Sequence, residues 1–174
     1  MAPQLLTTEL PDPTGWHVST KLDGIRGVWT GTRLLSRHGR DLTPPAWFTA
    51  ALPPSRMDGE LWMGNRTFPQ LLSVIQRRGA DWRGVAFHVF DLAEVGTFEE
   101  RYMRLQSVPL PAHVHIVGHR LCTGMGDLDR EERAVVANGG EGCVIRRPGC
   151  LYRPGRCGDV VKVKRLVADV DRPL

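Results

Sequence analysis

Alternating and periodic apolar positions along the chain predict a mixture of strands and helices. Strand-like patterns occur at residues 16–19, 28–30, 33–35, 57–63, 85–92, 113–118, 141–146 and 160–164. Helical spacing occurs at residues 46–52, 68–78 and 127–137, and Thr97 followed by Glu99 and Glu100 marks one further helix start. The mixture predicts an α+β fold with mainly antiparallel sheets.

The two ends of the chain differ from this pattern. Residues 1–15 are rich in proline and threonine and predict an irregular lead-in. Residues 16–165 are long enough to form one domain with a buried core. Residues 166–174 are predicted to form a C-terminal tail.

Composition and charge narrow the possible partners. Apolar residues make up 41% of the chain and charged residues 24%, as in ordinary globular proteins. The net charge of +4 is compatible with a polyanionic partner. No apolar run approaches the roughly 18 residues that span a bilayer, and no basic segment leads into an apolar core near Met1. We expect a cytoplasmic monomer without membrane contact, although removal of a leader would keep a periplasmic location open.

The four cysteines leave two roles open. They are Cys122, Cys143, Cys150 and Cys157, and no two of them form a C-x-x-C pair. This spacing favours reduced thiols over a structural zinc site. A zinc site would need histidines such as His113, His115 or His119.

The string Lys21-Leu22-Asp23-Gly24-Ile25-Arg26 is the first candidate for chemistry. In an extended backbone, residues two apart share a face, so Lys21 and Asp23 could enter one pocket. Gly24 permits a turn without steric cost, and Arg26 could return to the same site. Taken alone, the string is equally compatible with an exposed charged loop.

Five further segments combine charge with apolar neighbours. They are Ser36-Arg37-His38-Gly39, Asp58-Gly59-Glu60, Phe87-His88-Val89-Phe90-Asp91, Glu141-Gly142 and Lys162-Val163-Lys164. Each has an ordinary structural explanation when it is taken alone. Asp58 and Gly59 could form a simple turn, Phe90 could be a core residue, and the two lysines could be the wet face of an edge strand.

Together and in this order, the six segments resemble the motifs of the covalent nucleotidyltransferases, the family of DNA ligases, RNA ligases and mRNA capping enzymes. The resemblance extends from Trp16 to about Arg165. The strings Leu-Leu-Ser-Arg, Pro-Ala-Trp-Phe-Thr-Ala and Asp-Gly-Glu-Leu-Trp are similar to the minimal ATP-dependent DNA ligases of bacteria, called ligase E. The implied fold is an ATP-grasp-like nucleotidyltransferase (adenylation) domain, with antiparallel sheets flanked by helices.

The resemblance implies that Lys21 attacks the α-phosphate of ATP and carries AMP as a covalent intermediate. AMP would then pass to the 5′-phosphate of nicked double-stranded DNA, and the 3′-hydroxyl would close the strand. A free lysine has a pKa of about 10.4, so nearby positive charge is needed to release its proton. Lys162, Lys164 and a bound Mg²⁺ or Mn²⁺ would supply this charge and stabilise the α-phosphate.

The remaining roles are also implied by the resemblance. Glu60 would bind the ribose or the metal, and Glu141 would bind the catalytic metal. Phe90 would stack on adenine, and the nucleotide or the 5′-phosphate would be contacted by Arg26 and Arg37. The residues expected to shape the pocket are Asp23, Gly24 and Asp58.

One departure from the family pattern concerns the C-terminus. Only residues 165–174 follow the Lys-x-Lys segment, too few for the five-stranded OB-fold domain that such ligases carry. We therefore expect the given chain to be a catalytic core without that domain, with a separate partner as one source of the function. Two alternatives stay open: an RNA ligase or capping-type enzyme, and a non-catalytic module that binds nicks.

Overall fold

The computed structural model describes residues 2–5, 11–153 and 155–164. No helix in these ranges is long and apolar enough to cross a membrane. The predicted tail, residues 166–174, lies outside the described residues. Cellular location, oligomeric state and domain division stay predictions.

Ten strands and four helices are formed by the described residues. The strands are β1 (Ala2–Leu5), β2 (His17–Thr20), β3 (Ile25–Trp29), β4 (Leu34–Ser36), β5 (Met57–Trp62), β6 (Ala86–Leu92), β7 (Val114–Ile116), β8 (Arg120–Leu121), β9 (Cys143–Arg146) and β10 (Arg156–Val163). The helices are α1 (Ala46–Thr49), α2 (Phe68–Gln76), α3 (Phe98–Gln106) and α4 (Met125–Ala137). These elements confirm the predicted α+β class.

Two five-stranded sheets form the frame. The first sheet has the order β1-β10-β9-β2-β8, and the second has the order β4-β3-β5-β6-β7. Both are mixed, because β1 pairs with β10 and β6 pairs with β7 in parallel. The other six strand pairs of the described residues are antiparallel, which agrees with the prediction of mainly antiparallel sheets. Parallel neighbours need a crossover, and α3 lies in the one that joins β6 to β7.

Two predictions of local secondary structure are corrected by the structure, and a third is confirmed. The expected irregular lead-in is wrong for Ala2–Leu5, which pair with β10 as a strand. The helix expected at residues 46–52 is a single turn, since Pro53 and Pro54 follow closely. The helix start at Thr97 is confirmed: its hydroxyl accepts from the Glu100 N–H, and the Glu100 carboxylate accepts from the Thr97 N–H.

Each sheet buries one face against helices. Alternate residues of the second sheet, among them Trp29, Leu61 and Phe87, pack in a core with Phe48 of α1 and Leu71 of α2. Residues of the first sheet pack against α4 in a second core; they include Val18, Ile145, Val161 and Val163. Strand alternation turns the intervening residues of the second sheet to the opposite side. We call this side the polar face; it carries Arg26, Asp58, Glu60, His88 and Phe90.

Candidate active site

The segment from Lys21 to Gly24 joins the two sheets. Lys21 directly follows β2 of the first sheet, and its N–H donates to the Gly142 carbonyl at 2.8 Å. Ile25 then opens β3 of the second sheet. The charged string is therefore a connection between sheets, with Lys21 on one side of the junction and Arg26 on the other.

Lys21 forms an ion pair with Glu141, and the second carboxylate oxygen of Glu141 is paired with Lys164. The strand register explains the meeting, because Thr20, Cys143 and Val163 are aligned across β2, β9 and β10. Lys21 follows Thr20 and Lys164 follows Val163, whereas Glu141 lies two residues before Cys143. The three charged residues therefore meet at the same edge of the first sheet. Three of the predicted residues are thereby brought into direct contact. The Lys21 side chain is only 14% exposed.

Two glycines allow this close approach. A Cβ at Gly24 would lie 2.2 Å from the Leu61 carbonyl oxygen and 2.8 Å from Cγ of Glu60. A Cβ at Gly142 would lie 2.3 Å from the Val163 carbonyl oxygen, and Gly142 has a φ of +134°. Gly24 has no positive φ in the structure, so its function is close packing rather than the turn that the sequence suggested.

Asp58 organises the middle of the polar face. It is fully buried and accepts a bidentate ion pair from Arg26. The Tyr152 hydroxyl donates to the same carboxylate at 2.7 Å. Since Tyr152 follows β9 of the first sheet, the contact also shows that the polar face points toward that sheet. Burial raises the pKa of Tyr152, helped by the Asp58 charge.

Phe90 lies beside this cluster. The Arg26 guanidinium carbon is 4.9 Å from the centre of the Phe90 ring, a cation–π contact. The ring is only partly buried, which separates it from the core aromatic residues of the same sheet. A flat, partly exposed ring that already stacks on a planar cation can stack on another planar group.

Glu60 sits between opposing charges. Burial raises its pKa to about 7, Asp58 and Asp23 act in the same direction, and Arg26 and Lys162 act against it. Lys162, which belongs to the first sheet, is therefore near enough for its charge to act on Glu60. Half-ionised near neutral pH, this carboxyl group can accept or donate a hydrogen bond.

Two predicted residues stand apart from these contacts. Arg37 is exposed and donates from Nε to the His38 ring at 2.9 Å. Its neighbour Ser36 pairs with Gly27, so Arg37 lies at the same end of the sheet as Arg26 without touching the cluster. Asp23 is exposed and acts on Glu60 only through its charge.

Sequence reasoning missed a second buried ion cluster and Tyr152. Asp91 accepts two bonds from Arg101, at 2.8 and 3.0 Å, and one from Arg146 at 2.9 Å. All three side chains are almost fully buried. No sequence signal distinguished Arg101 or Arg146 from surface arginines, because their partner lies on another element.

The positions of the lysines among the basic residues also point to the candidate site. The chain has 23 basic residues of these two types, of which only Lys21, Lys162 and Lys164 are lysines. All three belong to the candidate site. Arginine serves as a fixed cation but cannot lose its proton, whereas a lysine amine can. The chain thus concentrates its ionisable amines where a nucleophile would be needed.

The cysteines have no part in this arrangement. All four are free thiols, and three of them are buried. Burial raises the pKa of the Cys143 thiol to about 12, as expected of an inert core residue. The described residues hold no group of three His, Cys, Asp or Glu side chains arranged for a metal.

Comparison with known proteins relates both the sequence and the fold to DNA ligases. A curated DNA ligase of Haemophilus influenzae is 32% identical in an alignment of 155 residues that covers 86% of this chain and 58% of that protein. The chain therefore spans less than two thirds of the length of this relative. No protein-family model matches the chain.

Three solved structures extend the relation. A Lig E DNA ligase, from a structure–function study of DNA binding with a minimal scaffold, matches with a TM-score of 0.82 and 29% identity over 95% of this chain and 69% of its own. The Chlorella virus DNA ligase–adenylate has a TM-score of 0.76 and 24% identity, covering 94% and 69%. The ligase domain of M. tuberculosis LigD has a TM-score of 0.66 and 25% identity, covering 93% and 59%. By sequence and by fold the chain is similar to the DNA ligases: it has the adenylation-domain fold of the ATP-dependent enzymes and resembles the Lig E type.

Proposed function

We propose that the chain is the catalytic core of an ATP-dependent DNA ligase that forms a lysine–AMP intermediate on Lys21. The observation that carries the proposal is the ion pair of Lys21 with Glu141, whose other carboxylate oxygen is paired with Lys164, at the junction of the two sheets. A mostly buried amine whose carboxylate partner is shared with a second cation suits nucleophilic attack on a phosphate.

In the first step, the Lys21 amine attacks the α-phosphorus of ATP. A nitrogen–phosphorus bond forms, the bond to the leaving pyrophosphate breaks, and the amine loses a proton. Glu141 contacts Nζ and is therefore positioned to accept that proton. Lys162 and Lys164 would neutralise the charge that develops on the α-phosphate.

The polar face supplies the nucleoside pocket in this proposal. Phe90 would stack on adenine, with Arg26 moving from the ring or remaining at its edge. Glu60 would bind the ribose hydroxyls, and the exposed Arg37 would meet the phosphates of the nucleotide or of the DNA. Asp58 and Gly24 would keep the pocket in shape, and Asp23 would adjust the charge around Glu60.

A divalent cation fits this site only together with the nucleotide. Both oxygens of Glu141 are paired with ammonium groups, and the described residues form no three-ligand cluster. Mg²⁺ commonly takes one or two carboxylates and completes its shell with water and phosphate oxygens. Glu141 and Glu60 meet that requirement. When bound, Mg²⁺ or Mn²⁺ would offset phosphate charge.

In the later steps, an oxygen of the 5′-phosphate at a nick attacks the AMP phosphorus, and the bond to Lys21 breaks. Lys21 then regains its proton. The 3′-hydroxyl attacks the activated 5′-phosphate, the strand is joined and AMP leaves. The net charge of +4 supports binding to nicked DNA, which we expect to weaken with added salt.

The test is covalent labelling with α-labelled ATP and Mg²⁺, followed by peptide mapping. We expect the label on Lys21 alone. Lys21→Arg is the sharpest variant, because it keeps the charge facing Glu141 but cannot act as a nucleophile. It should abolish labelling while the variant stays folded, and Arg33→Lys, an exposed position outside the site, should label normally.

Nick sealing completes the test. Chain that neither takes up label nor seals a pre-adenylated nick, although it binds ATP, would contradict the proposal. Labelling by GTP in preference to ATP, or sealing of RNA nicks alone, would favour a capping enzyme or RNA ligase. The curated match to a DNA ligase does not favour these alternatives.

A further inference from the structure

Two histidines lie side by side on the polar face, outside the residues assigned to the proposed reaction. His88 of β6 and His115 of β7 are direct partners in the parallel pairing of these strands. Their ring centres are 5.0 Å apart, and the ring planes make an angle of 40°. His88 is partly buried and His115 is exposed, so the pair is open to solvent on one side.

The ring nitrogens of this pair have no hydrogen-bond partner among the residues that the structure describes. By contrast, His17, His38 and His113 each have a ring nitrogen within 2.9 Å of a polar atom. An imidazole nitrogen that has no hydrogen-bond partner can serve as a metal ligand.

The separation of the rings suits a shared metal ion. Zinc and its neighbours bind imidazole nitrogen at about 2.0–2.1 Å, so two rings held at tetrahedral or square angles have centres roughly 4.6–5.3 Å apart. The observed 5.0 Å lies within this interval. Two imidazoles suit Ni²⁺, Cu²⁺ or Zn²⁺, whereas Mg²⁺ prefers oxygen ligands.

We propose that His88 and His115 form a binding site for a divalent transition-metal ion, with water completing its coordination. The site does not depend on ligase activity. It adjoins Glu60, the strand partner of His88, so a bound ion would add positive charge beside the proposed nucleoside pocket.

Calorimetric titration of the untagged chain with NiCl₂ tests the proposal. A Cys157→Ser background removes the single thiol that is only partly buried. We expect one Ni²⁺ per chain. His115→Gln and His88→Gln should each weaken binding at least about tenfold, since loss of an outer-shell partner alone often costs that much. His38→Gln, which alters an exposed histidine elsewhere, should leave affinity unchanged.

Tryptophan fluorescence locates the ion. The Trp62 ring is 5.1 Å from the His88 ring, so bound Ni²⁺ should quench Trp62. Trp62→Phe should retain the calorimetric site and lose the quenched component. Equal Ni²⁺ affinity in the parent and in His115→Gln would overturn the proposal, as would an equal loss in His38→Gln. His115 is exposed, so this variant decides the matter even if His88→Gln fails to fold.

Discussion

At the scale of single residues, Asp58 is the buried acceptor that holds the middle of the polar face. It is fully buried, pairs with Arg26 and accepts from Tyr152. A buried carboxylate needs such partners, because an unpaired charge away from water is costly. The orientation of Arg26, and with it the cation over Phe90, therefore depends on a tyrosine in the connection between β9 and β10 of the other sheet.

Tyr152→Phe tests this dependence. The variant loses one hydrogen bond to a charged group, and a loss of about 1 kcal/mol corresponds to roughly fivefold weaker ATP binding if the bond holds Arg26 in its binding position. Equilibrium binding of ATP measures the change. Tyr102→Phe is the matched control, because the only other tyrosine bonds to the Val117 carbonyl, outside the polar face. An equal change in both variants would contradict a positioning role.

Glu60 predicts a pH dependence of stability. Its pKa is raised from 4.5 to about 7 in the folded chain, so the folded state holds the proton more tightly than the unfolded state. The stabilisation is complete below pH 4.5 and is lost as pH rises through 7, by at most about 3 kcal/mol. Urea unfolding of wild type and Glu60→Gln at pH 5 and pH 8 should show the variant gaining relative stability at pH 8. A difference that does not vary with pH would refute the expectation.

At the scale of elements, the contact between the start of β9 and the end of β10 controls the distance between Glu141 and Lys164. Gly142 carries a positive φ and has no room for a Cβ against the Val163 carbonyl. A side chain here must push the two strand ends apart. The ion pairs of Glu141 lie directly beside this contact.

Gly142→Ala should therefore impair lysine labelling more than overall stability. We expect at least a tenfold slower labelling rate, since small displacements of a reacting group have large effects on rate. Single-turnover labelling gives the rate, and urea unfolding gives the stability. Gly118→Ala is the control, because no atom lies within 4 Å of a Cβ built there. Normal labelling by Gly142→Ala would exclude a spatial role for this glycine.

At the scale of the whole molecule, the Asp91 cluster joins the two sheets. Asp91 belongs to β6 of the second sheet, Arg146 to β9 of the first, and Arg101 to α3. Arg101 also lies 5.8 Å from the centre of the Tyr152 ring, which links this cluster to Asp58. The space between the sheets is thus bordered by buried charges that need one another.

Asp91→Asn should destabilise the chain by about 3–5 kcal/mol, because it leaves two buried guanidinium groups without their carboxylate. The free energy of unfolding in urea measures this loss. Asp81→Asn provides the comparison: Asp81 is exposed and 3.8 Å from Arg83, so a change within about 0.5 kcal/mol is expected. A similar loss of unfolding free energy in both variants would contradict the expectation that the buried Asp91 cluster stabilises the chain.

The sequence by itself determined which residues are candidates for the chemistry, because short-range patterns single them out. Alternation and helical spacing predicted most strands and helices within a few residues, and the order of six motifs indicated the nucleotidyltransferase family. Motifs of this kind can be read locally, since each one is a strand end or a tight connection with its own residue requirements.

Only the tertiary structure decided how these residues meet. The parallel pairings, the partners of Asp58 and Asp91, and the side-by-side histidines all join positions that are distant along the chain. A sequence pattern reports which face of a strand is buried but not which strand becomes its neighbour. That choice depends on packing over the whole domain, and it brings Lys21, from one end of the chain, to Glu141 and Lys164 near the other.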